Sequence, residues 1–264
     1  MSFQTTSLRQ SFAVQVRVIN ALLMREVITR YGRHNIGFLW LFLEPMLFTL
    51  GVTTLWTLIK VTHSTSLPIT AFAVTGYSSI LLWRNCTNRV VKAIEVNLSL
   101  MYHRNVRVID VFSARIILEI IGATTSMVVL TLTFSAMGWM NLPADILTAI
   151  VGWILLAWFA FALSLIVGAA SERSELVERV WHIFTYLLFP LSGAAFFVDW
   201  LPKGFQELIL WMPMVHGTEM IRHGYFGSLV RTYEDPIYLI TCNVVLTLIG
   251  LALVRETGRR VEPE

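Results

Sequence analysis

Apolar residues gather into six long runs, at residues 36–59, 69–83, 111–137, 146–170, 180–198 and 236–254, with polar stretches between them. Each run approaches the roughly 20 apolar residues that a helix needs to cross a bilayer. Hydrocarbon offers no water to backbone N–H and C=O groups, so a crossing segment must pair them itself as a helix or belong to a closed barrel. The runs lack the alternation of barrel strands, and the pattern predicts an all-α membrane protein with six transmembrane helices. The connections are a short loop at 60–68, a long polar stretch at 84–110, a tight turn at 138–145, a charged loop at 171–179 and a mixed segment at 199–235.

Two further periodic segments lie outside the spans. Leu8, Phe12, Val16, Ile19, Leu23 and Val27 recur every three or four positions, with Arg9, Arg17 and Asn20 elsewhere on the wheel, which predicts an N-terminal amphipathic helix lying in the membrane interface. Within 84–110, Val90, Val91, Ile94, Leu98 and Met101 share a face, with Glu95, Asn97, Tyr102 and Arg104 around it. Such a helix either docks in a groove on another protein or packs on its own bundle. The 199–235 segment holds Pro202, Gly204, Pro213, Gly217, Gly224 and Gly227 around two apolar stretches, 205–211 and 214–221, too short to cross. They are expected to form two re-entrant half-helices on the outer side, between spans five and six.

Charge sets the orientation. With a cytoplasmic N-terminus, 16 of the 20 Lys and Arg fall on the inside, leaving Lys60, Lys203, Arg222 and Arg231 outside. Both termini are therefore expected in the cytoplasm. Residues 1–17 show no signal-peptide pattern, so the first span is expected to direct insertion. Composition agrees with a lipid environment: 56% of the 264 residues are hydrophobic and only 14% are charged, against roughly 25% charged in a soluble domain. The net charge of +3 reflects orientation in the membrane, and no basic stripe with interleaved aromatics points to nucleic acid. Cys86 and Cys242 lie far apart and read as small apolar residues.

The sequence offers little catalytic chemistry. Its lysines are Lys60, Lys92 and Lys203, none of them in a G-x-x-x-x-G-K-[ST] loop, so ATP bound by this chain is not expected. No HExxH or GxSxG occurs. Asp110 falls inside while Asp145, Asp199 and Asp235 fall in separate outer loops, which disfavours a metal-dependent phosphotransferase. His216, Glu219 and His223 stand at i, i+3 and i+7 on one helical face; caps and interfacial hydrogen bonds are the favoured role, and no metal is expected. Glu44, beside Pro45, is an intramembrane carboxylate that either pairs with a neighbouring helix or lines an aqueous path. Arg115 and Glu119 are placed for a local i,i+4 pair. Phe48 and Tyr186, nearer the middle of their spans, either serve interfacial belts and packing, the favoured role, or offer flat faces to sugar rings.

The run Arg30-Tyr31-Gly32-Arg33-His34-Asn35-Ile36-Gly37-Phe38-Leu39-Trp40, continuing to Glu44-Pro45, resembles the start of the first span in ABC-2 permeases, above all those of capsular polysaccharide exporters. The stretch from Pro213 to Gly227, with His216, Glu219, Arg222 and Tyr225, is similar to the same group, as are Asn97-Leu98, Val106 to Asp110 and Arg115. The resemblance covers essentially the whole chain. It implies an interface helix within 1–35, a transmembrane domain over 36–254 and a cytoplasmic tail over 255–264. Within the domain it implies a coupling helix at about 91–104 and a re-entrant segment at about 199–227.

It further implies that the working unit is a homodimer with two copies of an ABC ATPase, which supplies ATP and Mg from its own sites. A periplasmic co-polymerase-type protein and an outer-membrane channel would complete the path. The implied cargo is a lipid-linked capsular polysaccharide moved across the inner membrane to the periplasm. Coupling would fall to Glu95, Asn97, Leu98, Met101, Tyr102 and Arg104, and the canal or gate to Trp40, Glu44, Phe48, Phe184 and Tyr186. The nearest alternative is an exporter of O-antigen or teichoic-acid-type polymer. A membrane-embedded glycolipid-modifying enzyme would need clustered carboxylates or a metal, and a proton-coupled transporter would need buried titratable relays.

Overall fold

The computed structural model describes residues 8–31, 39, 43, 46–55, 67–103 and 106–261, and no strand occurs among them. In chain order the helices are α1 Leu8–Tyr31, α2 described over Met46–Leu55, α3 Ile69–Val90, α4 Ala93–His103, α5 Val108–Ala136, α6 Ile146–Ser171 and α7 Glu175–Leu191. They continue with α8 Lys203–Ile209, α9 Pro213–Phe226 and α10 Pro236–Val261, and single 3-10 turns occur at Val198–Trp200 and Gly227–Leu229. Among the described residues, three helices are long and apolar enough to cross a membrane: α5, α6 and the Pro236–Arg260 part of α10. Trp40, Glu44 and Arg104 lie outside the described residues, and of Tyr102 only its place in α4 is described.

Local chemistry sets several helix ends. Asp145 caps α6, its carboxylate accepting the N–H groups of Leu147 at 3.0 Å and Thr148 at 3.2 Å. Pro213 opens α9, where a missing N–H costs nothing, and Gly227 closes it with φ at +56°.

Several boundaries differ from the hydropathy pattern. α3 runs on to Val90 because Trp83, Cys86, Thr87 and Val90 stay buried at i, i+3, i+4 and i+7 while Arg84, Asn85, Asn88 and Arg89 take the other faces. The chain then turns at Lys92, whose φ is +52°, and α4 begins at Ala93. Val90 and Val91 consequently do not continue the face of Ile94. α7 ends at Leu191, short of the expected 198, after Pro190 in its last turn and before Gly193 at φ +77°.

The core sits where α3, α5 and α6 meet α9 and α10, around Trp83, Phe112, Ile116, Leu156, Leu165 and Ile221. Small residues allow the close approaches: a Cβ on Gly168 would lie 2.9 Å from the Phe112 ring, and one on Gly250 would lie 2.8 Å from Leu165. α1 rests on α5 through Leu22, with Val18, Ile19 and Leu23 packed against the core. Its expected apolar stripe is divided, since Phe12 and Val16 stay exposed while Ile19 and Leu23 turn inward. Polar residues help hold that rotation: Gln15 donates to Asp110 at 3.0 Å and Arg25 to the Asn97 side chain at 2.6 Å. Arg115 and Glu119 both reach beyond their own helix, Arg115 to Glu26 of α1 and Glu119 to Arg89 of α3, each at 3.2 Å.

Candidate functional site

Polar side chains concentrate at two ends of the bundle, an upper end where α6 starts and a lower end where it finishes. At the upper end α9 organises everything around it. Arg222 is fully buried, with 0% of its surface exposed. One Nη1 donates to the Gly193 carbonyl at 2.6 Å and to that of Phe196, while Nη2 donates to Ala194 at 2.7 Å. Its guanidinium carbon stands 4.2 Å from the centre of the Phe72 ring and 4.6 Å from that of Phe197. The segment after α7 has carbonyls with no helix to continue into, and the guanidinium supplies their donors. Gly76 makes room on α3, since a Cβ there would come within 2.2 Å of the Ala194 oxygen and 2.7 Å of Arg222 Nη2.

The neighbouring polar residues of α9 are also turned to backbone groups. Glu219 accepts from the N–H groups of Val198 and Tyr233, both at 3.4 Å. His216 accepts the Asp235 N–H through Nδ1 at 2.9 Å, which leaves Nε2 to donate to the Leu210 carbonyl at 2.8 Å. A neutral ring in one tautomer therefore pins the start of α9 to the start of α10. Both nitrogens are engaged, and His223 leaves that group to pair with Glu234, so the i, i+3, i+7 spacing does not gather three metal ligands. The Tyr225 hydroxyl donates to the Asn141 carbonyl. Backbone bonds from Ala144 to Tyr225 at 3.1 Å and from Asp145 to Gly224 at 2.8 Å stitch the turn before α6 to the end of α9.

The lower end joins α4 to three other helices. Glu172, just past α6, accepts the Ile94 N–H at 2.8 Å; burial pushes its carboxyl up from the usual range, against the opposing pull of that N–H. Lys92 pairs with Glu178 of α7 at 3.1 Å and more loosely with Glu95 at 4.0 Å, and the Glu178 carboxylate raises the ammonium's pKa. Of the coupling candidates, Asn97 is buried and Met101 half-buried against the core, whereas Glu95 and Leu98 face outward beside Val96, which is 65% exposed. Asn97 bonds back to the Ala93 carbonyl at 2.8 Å while holding Arg25, so its contacts serve the fold.

Phe48 on α2 and Phe184 and Tyr186 on α7 are all exposed, and α7 fully buries only Thr185 and Leu188. An aromatic line connects these helices, Phe48 to Tyr77 at 5.9 Å and Tyr77 to Phe189 at 5.7 Å between ring centres. Sequence reading missed Glu172, Glu178 and the bridging role of Lys92. No local pattern announces a left-handed lysine, and the partners are 80 or so positions away.

The described architecture is that of an all-helical membrane protein with a polar clamp at one end and a charged helix junction at the other. The chain belongs to the ABC-2 type transporter family, whose model matches residues 17–226. It is 50% identical over 259 residues, 98% of each chain, to the capsule polysaccharide export inner-membrane protein CtrC of Neisseria meningitidis serogroup B. The capsule polysaccharide export inner-membrane protein BexB of Haemophilus influenzae is 46% identical over the same shares. The polysialic acid transport protein KpsM of Escherichia coli is 29% identical over 250 residues, covering 94% of this chain and 96% of the relative. All three relatives are named for transport.

Proposed function

We propose that the chain is the permease subunit of an ABC exporter that moves lipid-linked, acidic capsular polysaccharide across the inner membrane to the periplasm. Full-length similarity to capsule export proteins carries this reading. ATP and Mg are bound by a separate ATPase, and the working unit contains two permeases and two ATPases. A periplasmic co-polymerase-type protein and an outer-membrane channel receive the polymer. In this arrangement the first and fifth spans of two copies line the canal, in keeping with the exposed aromatics of α2 and α7.

Six spans place both termini and the lower end in the cytoplasm, with α8 and α9 as re-entrant helices on the periplasmic side. The positive-inside count supports that orientation. In a variant lacking Cys86 and Cys242, cysteines introduced at Lys60, Pro143 and Lys203 should react in intact cells with a membrane-impermeant thiol reagent, and cysteines at Arg104 and Ser174 should not. Labelling at Arg104 from outside would overturn the topology.

Coupling is assigned to the outward side of α4, where Glu95, Val96 and Leu98 offer one charge and two apolar knobs to the ATPase, with Tyr102 and Arg104 following. Asn97 and Met101 shape that surface from within. ATP-driven closure would push α4 and α1, and the α4–Lys92–Glu178 connection reaches α7 directly. The Glu95→Lys, Val96→Asp double variant should fold and insert yet lose co-purifying ATPase or polymer-dependent hydrolysis, together with capsule at the cell surface. Interface hot spots typically contribute more than about 1 kcal/mol each, enough to register in co-purification. Normal ATPase retention, hydrolysis and capsule would move coupling elsewhere.

A further inference from the structure

Arg84 lies six residues from the lower end of α3, about 9 Å along the axis at about 1.5 Å per residue. It has no ion-pair partner among the described residues, and its Nε is buried without a hydrogen-bond partner. Its guanidinium carbon sits 4.9 Å from the centre of the Tyr186 ring on α7, and Tyr186 keeps 67% of its surface exposed. The contacts Arg84–Tyr186 and Lys92–Glu178 set α3 and α7 antiparallel in one register. Neither helix supplies a counter-ion: α3 has no carboxylate, and on α7 Glu175 and Glu178 are paired with Arg179 and Lys92. Asn88, one turn below Arg84, adds a buried side-chain oxygen without a partner, and Trp181 adds an unpartnered indole N–H.

A guanidinium at this depth, with no carboxylate partner among the described residues and edged by an exposed aromatic, is an unbalanced charge in a place where charge is costly. The planar fork of N–H donors matches a carboxylate or phosphate oxygen pair. We infer that Arg84 and Tyr186 form a binding site for an anionic group on the glycan chain, a carboxylate or phosphate, in the lower half of the canal, at the point where α7 meets α3. The inference rests on the permease reading above and adds to it a selectivity element for acidic over neutral polymer. Arg84 holds the anion while the exposed part of the Tyr186 ring lies against the adjoining sugar. Since the chain must move on, one such contact per copy suits a site that binds weakly and releases.

The test uses the permease with its ATPase in nanodiscs of phosphatidylcholine. The probes are oligogalacturonate, which carries a carboxylate on every sugar, and the same oligomer after reduction of its carboxyls. Loss of one charge-assisted contact should weaken oligogalacturonate binding about tenfold or more in Arg84→Ala and Arg84→Gln, less in Arg84→Lys, and leave the neutral oligomer unchanged. Tyr186→Ala should weaken both. Retained ATPase and a monodisperse complex show that each variant is folded.

Unchanged acidic binding in Arg84→Ala, an equal loss for the neutral oligomer, or no oligogalacturonate binding by the wild-type complex overturns the site. So does an Arg84 effect that needs phosphatidylglycerol in the disc, since the occupant would then be a lipid headgroup. Restoration of binding by exchanging charges, Glu44→Arg with Arg84→Glu, also overturns it by making Arg84 an internal counter-ion. Capsule at the surface of a deletion strain separates the two readings. Failure of the wild-type chain to restore it removes the permease reading and the site together, whereas normal capsule with unaltered Arg84→Ala binding removes the site alone.

Discussion

Arg222→Met should lower the stability of the purified protein by at least about 3 kcal/mol, the sum of three carbonyls each losing a buried donor at about 1–3 kcal/mol. The affected oxygens are those of Gly193, Ala194 and Phe196, and the substitution also removes the cation's contacts with the Phe72 and Phe197 rings. At roughly 2–4 °C per kcal/mol for a chain of this size, the midpoint of thermal unfolding should fall by roughly 6–12 °C. Arg222→Lys should recover only part of this, because one ammonium cannot aim a planar fork at three oxygens. Membrane insertion should survive, since the apolar spans direct it, while export falls. A midpoint within about 2 °C of wild type would show that the clamp contributes little.

Gly224→Ala should be nearly as damaging although it adds a single methyl group. The new Cβ would stand 2.3 Å from the Ala149 nitrogen and 2.8 Å from both the Ala149 Cα and the Asp145 oxygen, all backbone atoms of the α6 start that cannot rotate away. α9 would have to separate from α6, breaking the bond from Asp145 N–H to the Gly224 carbonyl. Overpacking of this kind costs about 1–3 kcal/mol, and loss of the backbone bond places this site at the upper end. Gly204→Ala provides the contrast. Nothing lies within 4 Å of a Cβ there, so a helical alanine in α8 should be neutral or stabilise by up to about 1 kcal/mol. Equal midpoints for the two variants would argue against the packing explanation.

The fold was legible wherever apolar runs were long. The expected 146–170 and 111–137 runs differ from α6 and α5 by only a few residues at each end, and the short stretches at 205–211 and 214–221 became α8 and α9. Legibility failed where one face of a helix was polar. α3 carries two arginines and two asparagines in its last seven residues, which end an apolar run in sequence while its buried face continues to Val90. The same limit applied to the site. His216, Glu219, Arg222 and Tyr225 stood out as polar groups in a short helix, but spacing placed only His216, Glu219 and His223 on one face, and the partners of the first four lie 6 to 84 positions away. At the lower end, Asn97 and Met101 looked like neighbours of Glu95 on a docking surface. The turn at Lys92 rotates α4 so that the pair faces inward, an effect of one backbone angle that side-chain periodicity cannot register.

α7 has a bearing on the membrane itself. Its 17 residues rise about 26 Å at about 1.5 Å each, less than the roughly 30 Å of hydrocarbon in an ordinary bilayer, and its first turn carries two glutamates. In the proposed six-span topology, where α7 is the fifth span, the helix is mismatched to its solvent. Lipid beside it must thin, or the α8–α9 layer must cover the shortfall, and either response shortens the insulating distance along this edge of the protein. Transport activity should therefore depend on acyl-chain length, with long-chain membranes opposing the protein's preferred thickness and short-chain ones accommodating it.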